Sequence, residues 1–166
     1  MTSEGFRYVD GGTIADLVAR MRASPRGRLN LNLHPQLSDP IQRFVNAGQP
    51  GSYVRPHRHQ SDRWELVLSL RGSIDAVIFD DLGGVLRRLP LRAGAEGVIE
   101  IAGGVWHSFV FVAPDSIAFE VKPGPYDAAT DKQFARWAPA EGSPAAADCA
   151  RWLATAAVGA VWRGVA

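Results

Sequence analysis

An all-β barrel or sandwich of short strands, trimmed by a helix at each end, is the fold class this sequence predicts. Short runs of alternating, β-branched and aromatic residues recur from Arg28 to Val121 between Gly and Pro turns, the sequence form of a closed or sandwiched β architecture. The segments on either side lose that period and take helical spacing instead. The 166 residues suffice for one ordinary core and fall short of two. We therefore expect a helical segment over 1–27, a β-barrel domain over 28–126 and a helical tail over 127–166.

In order, Thr13-Ile14-Ala15-Asp16-Leu17-Val18-Ala19-Arg20-Met21 begins with a Thr N-cap, and Ile14, Leu17, Val18 and Met21 follow the i, i+3, i+4, i+7 spacing of an amphipathic helix that stops before Pro25. It either covers a face of the barrel or packs at a subunit interface. Arg28 to His34 alternates strictly, with Arg28, Asn30, Asn32 and His34 on one face and Leu29, Leu31 and Leu33 on the other. The polar four either face solvent on an outer strand or line a polar cavity or its mouth, a use that suits planar, directional donors and acceptors.

Further strands are expected over 41–47, 64–70, 73–79, 85–91, 97–102, 108–113 and 116–121. Asp80-Asp81 before Leu82-Gly83-Gly84 is ordinary turn chemistry, with a catalytic carboxylate pair as the alternative. Glu120 and Lys122 alternate with Phe119 and Val121, and form either an exposed pair or part of a pocket rim. After Tyr126 the β pattern stops. Ser143-Pro144 opens an Ala-rich helix through about Ala157, with Trp152, Leu153 and Val158 as its apolar face. That tail docks on the barrel, joins a homodimer or frays.

Composition narrows the function. The net charge is 18 minus 17, or +1, with no long basic run, so we expect neither nucleic acid nor an anionic membrane surface as partner. A small-molecule ligand or substrate is expected, and either terminal helix or an edge strand offers a homodimer interface. Cys149, the only cysteine, cannot form an intrachain disulfide and fits a reducing compartment as a packing residue. The N-terminus lacks a secretory pattern and no stretch nears 18 apolar residues, so a cytoplasmic location is expected.

The informative chemistry lies in Gly51-Ser52-Tyr53-Val54-Arg55-Pro56-His57-Arg58-His59, with Glu65 following. On an extended segment Tyr53, Arg55, His57 and His59 share a face, and the two imidazoles stand about 7 Å apart at Cα, close enough to converge on one metal ion. His107, after Gly103-Gly104 in another β-rich run, reaches the same point if the sheet closes on itself. Satisfied barrel histidines without a metal are the alternative reading.

These two stretches resemble the two motifs of the cupin superfamily. Gly51, five residues, His57-Arg58-His59, five residues, Glu65, six residues and Gly72 match the first motif, except that the gap before the carboxylate is one residue long. In the second, Gly104 and His107 fit, Gly97 is one residue too close, and Ala102 and Phe111 stand where the motif has Pro and Asn. Arg28-x-Asn30-x-Asn32-x-His34, Gln42-Arg43, Phe79-Asp80-Asp81, Phe119-Glu120-x-Lys122-x-Gly124-Pro125-Tyr126 and Trp137-Ala138-Pro139-x-Glu141 narrow the resemblance to the WbuC family of cupin-fold metalloproteins, some encoded among surface-polysaccharide genes. The resemblance implies a jelly-roll barrel holding one divalent transition metal (Fe, Mn, Ni or Zn) on His57, His59, Glu65 and His107.

Three functions are compatible with that site. A metal-dependent enzyme, an isomerase or epimerase on a sugar-derived or carboxylate compound, would use Arg28, Arg55, Asn30 and Asn32 to bind substrate and His34, Tyr53 or Tyr126 to move protons. A cupin dioxygenase would use the same metal with dioxygen. A non-catalytic module would keep the metal for stability or ligand binding. What separates the last from the others is whether the polar face of Arg28 to His34 turns inward.

Overall fold

The structure is a computed structural model that describes residues 5–164; residues 1–4 and 165–166, part of the expected terminal segments, lie outside the described residues. Among the described residues ten strands form two five-stranded antiparallel sheets flanked by two helices. The first sheet has β1 (Arg28–Asn32), β2 (Ile41–Gly48), β9 (Ser116–Pro123), β4 (Glu65–Arg71) and β7 (Val98–Ile101) in the order β1-β2-β9-β4-β7. The second has β10 (Gln133–Phe134), β3 (His57–Arg58), β8 (Trp106–Phe111), β5 (Ser73–Phe79) and β6 (Val85–Arg92) in the order β10-β3-β8-β5-β6.

Alternation decides which side chains enter the space between the sheets, and on the first sheet the rule runs polar-inward. Arg28, Asn30 and Asn32 of β1, Gln42, Phe44 and Asn46 of β2, and Glu120 and Lys122 of β9 face a central cavity. Their neighbours Leu29, Leu31, Leu33, Val45, Ile117 and Phe119 form the opposite face, where helix α1 (Gly11–Ala23) covers them with Leu17, Val18 and Met21. A sheet with apolar residues on its outer side needs such a cover, since each large apolar side chain contributes about 1.5–3 kcal/mol when buried. Covering the barrel is thus the role of α1 in this chain.

The second sheet carries apolar residues on both sides, beside the histidines of β3 and β8. Ile74, Phe109 and Phe111 face the cavity, while Val77, Phe79, Val85 and Val110 pack outward under helix α2 (Pro144–Thr155). On that helix Ala146, Cys149, Ala150 and Leu153 are buried at i, i+3, i+4 and i+7. The tail docks on the barrel rather than fraying, and Cys149 is one of its packing residues, its thiol pushed up to about 11 by burial.

Several local expectations are corrected. The N-cap of α1 is Asp10, whose Oδ1 accepts from the Thr13 backbone N–H at 2.8 Å, so Thr13 stands in the first turn. Gly11 and Gly12, which carry no side-chain period, hide that start. The strand from Arg28 ends at Asn32, and α2 ends at Thr155, leaving Val158 61% exposed beyond it rather than on its apolar face. Asp80 takes the turn reading, its Oδ1 accepting from the backbone N–H groups of Leu82 and Gly84 at 2.9 and 2.7 Å. Strand β10 was not expected, because two residues are too few to show a period. No helix among the described residues is long and apolar enough to cross a membrane.

The docking of α2 predicts a contrast. Leu153→Ala, at a site 2% exposed, is expected to cost about 2–5 kcal/mol, whereas Val158→Ala should stay within about 0.5 kcal/mol of the wild type. Urea unfolding of the two variants measures both; equal, small effects would mean that the tail does not pack.

Candidate metal centre and cavity

His57, His59, Glu65 and His107 come together at one end of the cavity, all buried, with ligand-capable atoms within 4.8 Å of one another. Strand pairing places them. His57 on β3 lies directly opposite His107 on β8, and Glu65 opens β4 opposite Ile101 on β7. The extra residue before Glu65 is absorbed in the turn after His59, where the Arg63 N–H donates to the Gln60 carbonyl at 2.9 Å, so the carboxylate still arrives on the inner face. Gly103 lets the 60–61 turn lie against it, since a Cβ there would fall onto the Gln60 carbonyl oxygen.

The hydrogen bonds of the three rings define their tautomers. Each Nδ1 faces a backbone carbonyl oxygen, that of Arg55 at 2.9 Å for His57, of Asp131 at 2.6 Å for His59 and of Val105 at 2.9 Å for His107. A carbonyl oxygen only accepts, so each Nδ1 carries the proton and each neutral ring turns its Nε2 lone pair inward. There His59 Nε2 and His107 Nε2 lie 3.0 and 3.1 Å from the same Glu65 oxygen, while His57 Nε2 is buried without a partner. Lone pairs set against a carboxylate repel unless a cation lies among them. Ligands about 2.0–2.1 Å from an ion and roughly at right angles stand about 3 Å apart, so the donor set fits a divalent transition-metal ion.

Electrostatics around the cluster agree with that state. Burial, helped by the nearby positive charge of Lys132, holds His57 well below the usual histidine range and so keeps it neutral. Burial pushes the Glu65 carboxyl up, but its placement against the His107 and His59 rings outweighs that and holds it well below the usual carboxylate range.

The cavity beyond the cluster measures about 500 Å³, within the usual size for small-molecule sites. Its walls differ. Arg28, Asn30, Asn32, Gln42, Asn46, Glu120 and Lys122 make one side polar, while Val67, Ile74, Phe109 and Phe111 make the other apolar. Of the substrate-binding candidates Arg28, Asn30, Asn32 and Arg55 all line the cavity, and Tyr126 stands at its edge, 37% exposed.

His34 and Tyr53 are not brought to the cavity. His34 lies past the end of β1, buried edge-on against Phe44, with its Nδ1 accepting from the Arg43 backbone N–H at 3.0 Å. Tyr53 belongs to the core under α2 and donates its hydroxyl to the Pro139 carbonyl at 2.9 Å. Burial raises its phenol well above the normal range. The segment before His57 is irregular rather than a continuous strand, so strict alternation does not carry Tyr53 to the side of Arg55 and His57.

Sequence reasoning missed the strap of residues 127–135. Asp131 and Lys132 from it line the cavity. The Asp131 carboxylate binds Lys122 Nζ at 2.7 and 2.8 Å, and its backbone carbonyl is the oxygen that orients His59. Glu120 accepts from Asn46 Nδ2 at 2.7 Å, and burial raises its carboxyl. Glu120 and Lys122 are therefore part of the cavity wall, not an exposed pair. The inward face of Arg28, Asn30 and Asn32 was the signal that could have assigned them, since β9 pairs with β2 and shares its facing.

A jelly-roll barrel of the cupin type, with three imidazoles and a carboxylate converging inside it, is the class that fold and site define. The chain belongs to the family described as "Domain of unknown function (DUF6016)", whose profile matches residues 9–91 and takes in His57, His59 and Glu65. Among solved structures, oxalate oxidase in complex with the substrate analogue glycolate aligns at 17% identity and a TM-score of 0.51, over 68% of this chain and 57% of that one. KdgF from Halomonas sp. aligns at 14% identity and a TM-score of 0.49, over 62% and 83%. The cupin domain of an XRE family transcriptional regulator from Enterobacter cloacae aligns at 16% identity and a TM-score of 0.46, over 58% and 94%. No curated protein matches the chain in sequence.

Two outcomes follow. Lys122→Met leaves the buried Asp131 carboxylate unpaired and is expected to cost about 3–5 kcal/mol in urea unfolding. The His57 shift also has a pH signature in metal-free protein. The folded state keeps His57 neutral while the unfolded chain takes a proton below about 6.5, so stability present above that pH is lost as pH falls, by up to about 1.4 kcal/mol per unit for one proton. Urea titrations from neutral to mildly acid pH should show this slope in the wild type and a shallower one in His57→Ala.

Proposed function

We propose that this chain is a metal-dependent enzyme acting on a small polar compound, sugar-derived or carboxylate in kind. One observation carries the reading: Arg28, Asn30 and Asn32 line the same cavity as His57 and Glu65, whereas a metal kept only for stability needs no polar wall beside it. His57, His59, Glu65 and His107 are the proposed ligands. A divalent transition ion bound there supplies a Lewis acid for a substrate oxygen.

The remaining work falls to the chain's own groups. Asn30 and Asn32, joined Nδ2 to Oδ1 at 2.5 Å, offer hydrogen bonds to hydroxyls. Tyr126 and Glu120 are the proton carriers in reach of the cavity, Glu120 because burial favours its protonated form. Val67, Phe109 and Phe111 keep water from the apolar side. Isomerisation or epimerisation is the reaction class favoured here, and the WbuC resemblance supports a setting in surface-polysaccharide metabolism.

Metal analysis tests this reading. Protein purified without chelator should hold about one equivalent of a single transition metal by inductively coupled plasma mass spectrometry, and folded His57→Ala and His107→Ala should hold none. Zinc or manganese agrees with isomerase chemistry, and iron moves the assignment to a dioxygenase. Unchanged metal content in both variants would remove the site.

A further inference from the structure

The charges lining the cavity do not cancel. Arg26 and Arg28 share Glu141, with Arg26 Nε 2.6 Å from Oε1 and Arg28 Nη2 2.9 Å from Oε2. Lys122 is paired with Asp131 and stands 4.0 Å from Glu120. Five cations line the cavity against four carboxylates, Glu65, Glu120, Asp131 and Glu141, and two of the cations have no carboxylate within ion-pair distance. Lys132 lines the cavity with no hydrogen bond or ion pair among the described residues. Arg55 lies over the Phe134 ring at 4.9 Å and donates Nη2 to the Ala135 carbonyl at 3.2 Å, but meets no carboxylate, and its Nε is buried without a partner.

A half-buried cation with no directly bonded carboxylate is costly to keep, and two of them lining one cavity mark the place an anion would occupy. We propose that Lys132 and Arg55 bind the carboxylate of the substrate, so that the compound taken into this cavity is a small polyhydroxy acid rather than a neutral sugar. The inference rests on the functional reading above, in that the same compound reaches the metal end. Arg28, an anion-binding candidate from sequence, already shares Glu141 with Arg26 and is less available than Lys132 and Arg55.

A single carboxylate suits this pair better than a phosphate. The Glu65 carboxylate lines the same cavity and would oppose a dianion. Burial and the charge of Lys122 depress the basicity of Lys132 against the opposing pull of Glu120, Glu65 and Asp131, a penalty that an incoming anion relieves. The hydroxyls then fall to Asn30 and Asn32 on the polar wall.

The test uses matched probes. D-gluconate, D-glucitol and D-glucitol 1-phosphate differ only in the group at C1, and are titrated calorimetrically into the full chain, both metal-free and loaded with zinc, with metal content measured on every sample. Gluconate should bind at least about tenfold more tightly than glucitol, and Lys132→Met should lose about tenfold or more of that affinity while retaining zinc and the wild-type circular dichroism spectrum. Lys132→Arg should restore most of it. Equal affinity for gluconate and glucitol, an unchanged gluconate affinity in Lys132→Met, preference for the phosphate ester, or no binding by any probe would overturn the proposal. Failure to take up zinc would instead strike the metal reading, and the metal-free titrations would still decide whether Lys132 and Arg55 select a carboxylate.

Discussion

Three ring protons hold this site together. Because each Nδ1–H of His57, His59 and His107 is committed to a backbone carbonyl, the opposite nitrogens have no choice but to present lone pairs to the barrel interior. Glu65 then adds negative charge to the same point. Four acceptor groups buried together are destabilising by themselves, and become favourable only around a cation. The backbone thus builds into the fold a donor set that suits a divalent ion, and the loops that supply those carbonyls fix the rings that form it.

The same logic of displaced polarity runs through the first sheet. Most half-buried sheets put apolar residues toward the core and polar ones toward water. Here β1, β2 and β9 do the reverse, so their apolar outer face must be covered and α1 provides the cover. The helix is therefore a condition of the polar cavity: without it, Leu29, Leu31, Val45, Ile117 and Phe119 would meet water. The apolar second sheet supplies the contrasting wall, and the two together give the cavity one side that can hydrogen-bond and one that cannot.

The sequence made most of this legible, for a physical reason. His57, His59 and His107 stand out because imidazoles at alternate positions beside glycine turns are rare in a packing role, and β5 was readable over its whole length from Ser73 to Phe79. Glu65 was obscured by a one-residue insertion that the 60–63 turn takes up. Tyr53 was misdirected because alternation was extended into a stretch with no ladder to enforce it. The strap of residues 127–135 left no period at all, since its position is set by Asp131 meeting Lys122 and by a two-residue pairing with β3, interactions between distant parts of the chain. Local pattern reveals strands, and long-range polar pairing remains hidden from it.

That strap has a further meaning. It borders the cavity through Asp131, Lys132 and Phe134, and it also supplies the carbonyl that fixes the His59 ring. Swinging it aside to admit a bulky guest would withdraw that carbonyl and leave the imidazole free to rotate. Access and coordination are mechanically linked, so the largest molecule the cavity can accept is bounded by the ligand geometry it must leave undisturbed.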